Sequence, residues 1–213
     1  MFKTGFARHS FSMQAPSSEA AQWAAHLIQS RRTTLPKRLC GPGPDAGQKN
    51  HILEAAAAAP DHDQLLPWRL IEVPETRRSN LGDAFVTALL ERDPNADDQA
   101  CAQALEKAFR SPWLLLVVVR ISDDNHDIPA AERILSAGAA IQNMLLLTTA
   151  YGLGSALTSG KALQSRAMRE LFDLQVNEQA LCFINIGDIS EARKHRPRPE
   201  VARYYSSSEA PRG

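Results

Sequence analysis

Seven consecutive apolar residues, Trp113-Leu114-Leu115-Leu116-Val117-Val118-Val119, constrain the fold more than any other feature of the chain. Successive strand residues point to opposite faces of a sheet, so an unbroken apolar run of this length asks for cover on both faces. It is too short for a typical helix, and it lies between Pro112 and the polar stretch Ser122-Asp123-Asp124-Asn125. The run is therefore expected as a buried central strand of a sheet with helices packed against it.

The remaining periodicities supply those helices. Trp23, Ala24, Leu27 and Ile28 recur at helical spacing after Pro16-Ser17-Ser18-Glu19, where either serine can cap and the glutamate suits the first turn. This helix delivers Arg31 and Arg32 at its C-terminal end. Gly41-Pro42-Gly43-Pro44 reads as a turn, and Asp45 with Gln48 has capping-box spacing for a second helix that Pro60 stops. Leu70 to Val73 reads as a strand, Thr76 to Arg92 and Asn95 to Arg110 as helices, Ser155 to Ser159 and Ala180 to Ile186 as strands, and Ser165 to Phe172 as a helix. Pro129 to Tyr151 is the longest helix. Beyond its charged first turn it is apolar or small nearly all round, which predicts cover on every side, in part from a second subunit.

Composition narrows the function classes. With 213 residues and 44% hydrophobic content the chain can bury a sizeable core, and one domain over residues 17–205 is expected, with flexible ends at 1–16 and 206–213. Lys+Arg and Asp+Glu balance at 24 each, so no overall basic field draws in nucleic acid or a membrane surface. The three cysteines, Cys40, Cys101 and Cys182, are scattered and odd in number, which argues against a disulfide framework or zinc and for a cytoplasmic setting. Paired carboxylates, a Ser/His/Asp array, metal-ligand spacing and a Walker loop are all missing from the pattern, so hydrolysis and phosphoryl transfer have no residue support.

Two segments carry more specific information. Arg31-Arg32-Thr33-Thr34 ends the first helix, and Ala59-Pro60-Asp61-His62-Asp63-Gln64-Leu65-Leu66-Pro67-Trp68 follows the second. By residue type alone, the arginines suit a phosphate site or a solvated cap on the helix dipole about equally. In this order the two segments resemble the nitroreductase family, whose members open with a helix ending in an Arg-Arg-Ser-like motif and later carry an Ala-Pro-polar loop closing in Pro-Trp. Thr33 stands where serine is commoner, and Leu66 where glutamine is frequent. An Asp-His pair in the loop marks one small, single-domain branch.

The resemblance implies an α+β fold, a three-layer sandwich with a small mixed central sheet flanked by helices. It implies an FMN-dependent oxidoreductase that takes hydride from NADH or NADPH onto flavin N5 and passes it to a nitroaromatic, quinone or similar acceptor by a ping-pong mechanism. The chemistry then resides in the cofactor, and no catalytic side chain is expected. It further implies a homodimer with FMN at the interface. Carried onto this sequence, the FMN contacts are Arg31, Arg32 and Thr33 at the phosphate, ribityl or ring edge, and Leu157, Thr158, Ser159 and Gly160 along the flavin edge. Arg196 and Arg198 of the tail would close on the phosphate, and His62 and Gln64 belong to the loop, where His62 either approaches the flavin of the opposite subunit or simply fixes the loop. The rival expectation is a non-catalytic, dimeric flavin-binding or ligand-sensing protein on the same fold.

Overall fold

The computed structural model describes residues 18–123, 127–191 and 197–208. The expected end segment 1–16, most of 206–213 and Arg196 lie outside the described residues. Six helices, α1 (Ser18–Ser30), α2 (Ala46–Ala56), α3 (Arg78–Arg92), α4 (Asp98–Glu106), α5 (Ala130–Ala150) and α6 (Arg166–Leu171), accompany five strands among these residues. The strands are β1 (Leu39–Cys40), β2 (Trp68–Glu72), β3 (Trp113–Arg120), β4 (Gly154–Thr158) and β5 (Glu178–Ile189). Their order is β1-β5-β3-β2, with β4 also paired to β5.

The run that anchors the sequence reading is β3, and every residue from Trp113 to Val119 is buried. Alternation assigns its side chains to two separate cores. Trp113, Leu115, Val117 and Val119 pack with Ile52 of α2 and with Ala137, Ile141 and Met144 of α5. Leu114, Leu116 and Val118 pack with Leu81 and Ala84 of α3 and Met168 of α6. Three layers result, as expected. The ladders, however, are all antiparallel rather than mixed, and the sole parallel contact among the described residues is an isolated bridge between Thr33 and Ser155.

β5 keeps faith with both cores through an irregularity. Its pairing with β3 slips between Val117 and Val118, so that Val117 opposes Cys182 and Val118 opposes Ala180, which leaves Leu181 as the extra residue. A bulge of this kind reverses facing by one position. Cys182 and Ile184 therefore sit in the α2/α5 core, whereas Ala180, of the same parity, joins Phe183 in the other. Without the bulge, one of the two cores would lose its β5 contribution at this end.

Local chemistry explains the helix starts. Asp45 accepts from the Gln48 N–H at 2.8 Å while Gln48 Oε1 accepts from the Asp45 N–H at 3.0 Å, the reciprocal box expected from their spacing. At α4 and α6 the cap is one-sided: Asp97 accepts from the Ala100 N–H and Ser165 from the Met168 N–H. Two helices depart from simple cover. No residue of α1 is buried, and Trp23 and Ile28 are 68% and 52% exposed. On α5 an exposed stripe of Ala131, Leu135, Gly138 and Gln142 recurs at helical spacing, so a single chain does not cover this helix all round. Among the described residues, no helix is long and apolar enough to cross a membrane.

Candidate functional site

The first helix ends at Ser30, and the chain then runs past the edge of β4, held there by the Thr33 bridge and by the Thr34 N–H donating to Ser155 O at 2.8 Å. That path places the guanidinium-bearing residues Arg31, Arg32 and Arg38 around a cavity of about 510 Å³, which Arg198 of the tail also lines. Arg198 Nη2 donates to Arg31 O at 2.7 Å, across 167 residues of sequence. Arg32 Nη1 donates to the same carbonyl at 3.0 Å and also to Gln29 O.

Like charges thus gather with little to offset them. Arg38 meets Glu191 at 3.0 Å, whereas neither Arg31 nor Arg198 forms an ion pair among the described residues. Burial, followed by the neighbouring charges of Arg198 and Arg32, lowers the Arg31 pKa from its ordinary value. Arg31 remains charged at any working pH, and the direction of the shift means that an anion placed there would be favoured. Thr34, 2% exposed, also lines the cavity, but its hydroxyl oxygen is buried against Gly154 of β4 and has no hydrogen-bond partner among the described residues. The convergent arginines by themselves fit a phosphate group.

Thr158, Ser159 and Gly160 line a second cavity of about 470 Å³, on the α3/α4 side of the sheet. The Thr158 hydroxyl accepts from Asn185 Nδ2 at 3.0 Å, and Asn185 in turn accepts from the Ser111 hydroxyl at 3.2 Å, so the end of β4 is held by a buried polar chain. Leu157 points away, is 45% exposed and lines neither cavity.

His62 and Gln64 lie elsewhere, in the loop before β2, and line neither cavity. His62 Nδ1 contacts Glu132 Oε2 of α5 at 2.8 Å. The hydrogen bond to Glu132, with the nearby charge of Asp63, raises the His62 pKa above its ordinary value. Asp61 accepts from the Leu66 N–H at 2.6 Å, and Arg120 donates to Leu65 O at 3.1 Å. Within this tight loop Asp63, Gln64 and Leu66 all adopt positive φ, at 53°, 54° and 45°. Such conformations are costly for residues with a Cβ, most of all for leucine, and gather where surrounding structure enforces them. Trp68, which closes the loop, is buried in the α2/α5 core.

Thr34, Arg38 and Glu132 were not singled out from the sequence. Alternation after the bridged Thr33 was the available signal for Thr34; no local pattern relates Glu132 to a histidine 70 residues earlier.

The order of these elements and the arginine-lined end of α1 coincide with a known pattern: the sequence profile of the Nitroreductase family matches residues 28–188. The chain belongs to the nitroreductase family. Among curated relatives it is 32% identical over 167 residues to YdjA of Escherichia coli (strain K12), which carries the provisional name NAD(P)H nitroreductase, covering 77% of this chain and 87% of that protein. Nitroreductase architecture recurs in solved structures. A nitroreductase-like family protein from Bacillus cereus aligns with a TM-score of 0.73 at 20% identity, over 87% of this chain and 96% of the other. A variant of the FMN- and NADPH-dependent nitroreductase NfnB from a Sphigopyxis strain gives 0.69 at 18% identity, over 87% and 99%. At these identities the structures attest the nitroreductase fold, and the sequence match attests the family.

Proposed function

We propose that the protein is an FMN-dependent NAD(P)H oxidoreductase acting on a nitroaromatic, quinone or similar acceptor as a cytoplasmic homodimer. One observation carries the reading: the convergence of Arg31, Arg32, Arg38 and Arg198 on one cavity. When bound, FMN supplies the redox chemistry, with NAD(P)H and acceptor visiting the site in turn in ping-pong order.

The side chains then bind and orient. Arg31 and Arg198 hold the phosphate, and Arg32 and Thr33 border it. Thr158, Ser159 and Gly160 run along the flavin edge, and the Asn185 chain keeps them in place. Among the described residues the Ser159 and Gly160 N–H groups donate no hydrogen bond, which supports their role as donors to a ligand.

A second copy is needed for the rest. His62 and Gln64 line neither cavity of their own chain, and this reading places them at the FMN of the partner. The uncovered Trp23 and Ile28 of α1 and Leu135 of α5, the last 72% exposed, supply an apolar surface for that association. The NAD(P)H nitroreductase name of YdjA and the FMN dependence stated for NfnB support the same assignment.

The test is an absorption spectrum of purified protein loaded with FMN, before and after NADPH or NADH. Bleaching of the flavin band, and its return on adding a nitroaromatic or quinone, is the expected result. Flavin bound but never bleached would identify a binding or sensing protein, and failure to take up FMN would overturn the cofactor assignment.

A further inference from the structure

The cavity on the α3/α4 side has a composition that the flavin-edge assignment does not use. Its floor is apolar, formed by Phe85 and Leu89 of α3, Leu114 of β3 and Phe183 of β5. Phe85 and Phe183 meet edge to face, with ring centroids 5.9 Å apart. Such a floor accepts a flat ring.

The rim differs. Arg92, Lys107, Arg110 and Lys161 all line the cavity, and among the described residues no aspartate or glutamate does. In a chain with equal numbers of acidic and basic residues, that imbalance is local. Glu106 reaches Arg110 Nη2 at 3.5 Å from outside the lining, whereas Arg92, Lys107 and Lys161 form no ion pair among the described residues. Thr158 also lines the cavity, and its hydroxyl accepts from Asn185 Nδ2 at 3.0 Å. Four cations lining one cavity are relieved by an anion, and the apolar floor is covered by an aromatic body.

We infer that this cavity binds a small aromatic acid, its ring over Phe85 and Phe183 and its anionic group among Arg92, Lys107, Arg110 and Lys161. The inference rests on the proposed function only for the role of that ligand: there, it names the acceptor as one bearing a negative charge. Binding itself does not depend on it.

The experiment is equilibrium dialysis of the FMN-loaded protein with para-nitrobenzoate and with its neutral isostere para-nitrobenzamide. It is repeated on an Arg92→Gln, Lys107→Gln variant, changed at two exposed positions. We expect the acid to bind about tenfold more tightly than the amide, the variant to lose that difference, and FMN affinity to be the same in both proteins. Equal binding of acid and amide by the parent, or a difference that survives in the variant, overturns the inference. Loss of FMN affinity in the variant also overturns it, since the cavity would then belong to the flavin. Displacement of the acid by equimolar inorganic phosphate would remove the aromatic half of the assignment. If the protein takes up no FMN, the proposed function fails, and the same dialysis on the flavin-free chain still decides whether the cavity selects an aromatic acid.

Discussion

The arginine cavity at the end of α1 and the Asp61 to Leu66 loop differ in what each leaves unresolved. At the cavity no residue holds positive φ, but like charges crowd together, and Arg31 and Arg198 have no ion-pair partner among the described residues. In the loop the charges are already matched, His62 to Glu132 and Asp61 to the Leu66 N–H, yet three residues hold positive φ. Electrostatic imbalance is cured by a ligand. Backbone strain is not, and it points to a loop whose shape is fixed in advance. The first region is thus built to gain affinity on binding, the second to present side chains without rearrangement.

Four outcomes would break or sharpen this contrast, in descending order of effect. Arg31→Ala should weaken FMN by roughly 10- to 100-fold, the cost of deleting one charge-assisted hydrogen-bonding group, as read by flavin fluorescence titration. Unchanged affinity would mean that the crowded arginines do not meet the phosphate. Trp23→Glu, on the exposed face of the same helix, should weaken self-association by roughly 30-fold or more, the scale for a central aromatic at an interface. Sedimentation at micromolar concentration would show it, and a parent that is already monomeric would sink the dimer reading.

Leu66→Gly tests the loop. Glycine adopts φ near 45° without penalty, and Leu66 is 60% exposed, so little burial is lost. Stability should rise by about 0.5–1 kcal/mol after the added chain entropy of glycine is subtracted, measured by denaturant unfolding. A fall instead would show the loop to be unstrained. The smallest effect belongs to His62→Gln. Because the folded-state pKa of His62 is raised, its pair with Glu132 contributes stability fully at pH below the unfolded value of about 6.5 and loses it as pH rises through the folded value. Melting temperature against pH should lose that limb in the variant, and FMN affinity should drop by less than for Arg31→Ala. An identical pH profile in parent and variant would mean that the His62 to Glu132 contact is not formed in solution.

The elements legible in the sequence were those with a local physical cause. The capping box at Asp45 and the doubly buried β3 follow from residues a few positions apart, and both form as read. β5 is longer than its apolar stretch, because its polar start is secured at a distance: Glu178 takes two hydrogen bonds from Arg69, at 2.7 and 2.8 Å. β1, two residues long, has no periodicity to detect. The site divides in the same way. Arg31 and Arg32 announce themselves at a helix end, whereas the approach of Arg198 and the charged rim contributed by Arg92 of α3, by Lys107 and Arg110 beyond the end of α4, and by Lys161 arise only when distant segments meet.

β5 is nearly the last element of the chain, yet β1, β3 and β4 all pair with it. A ribosome therefore delivers the other four strands and all six described helices before the strand that joins them exists. Until then β3 has only β2 as a neighbour, and one apolar edge of the sheet stays open. Assembly is forced to be late and concerted rather than progressive. Premature termination anywhere before Glu178 should yield an aggregation-prone fragment that engages holding chaperones, not a smaller working protein.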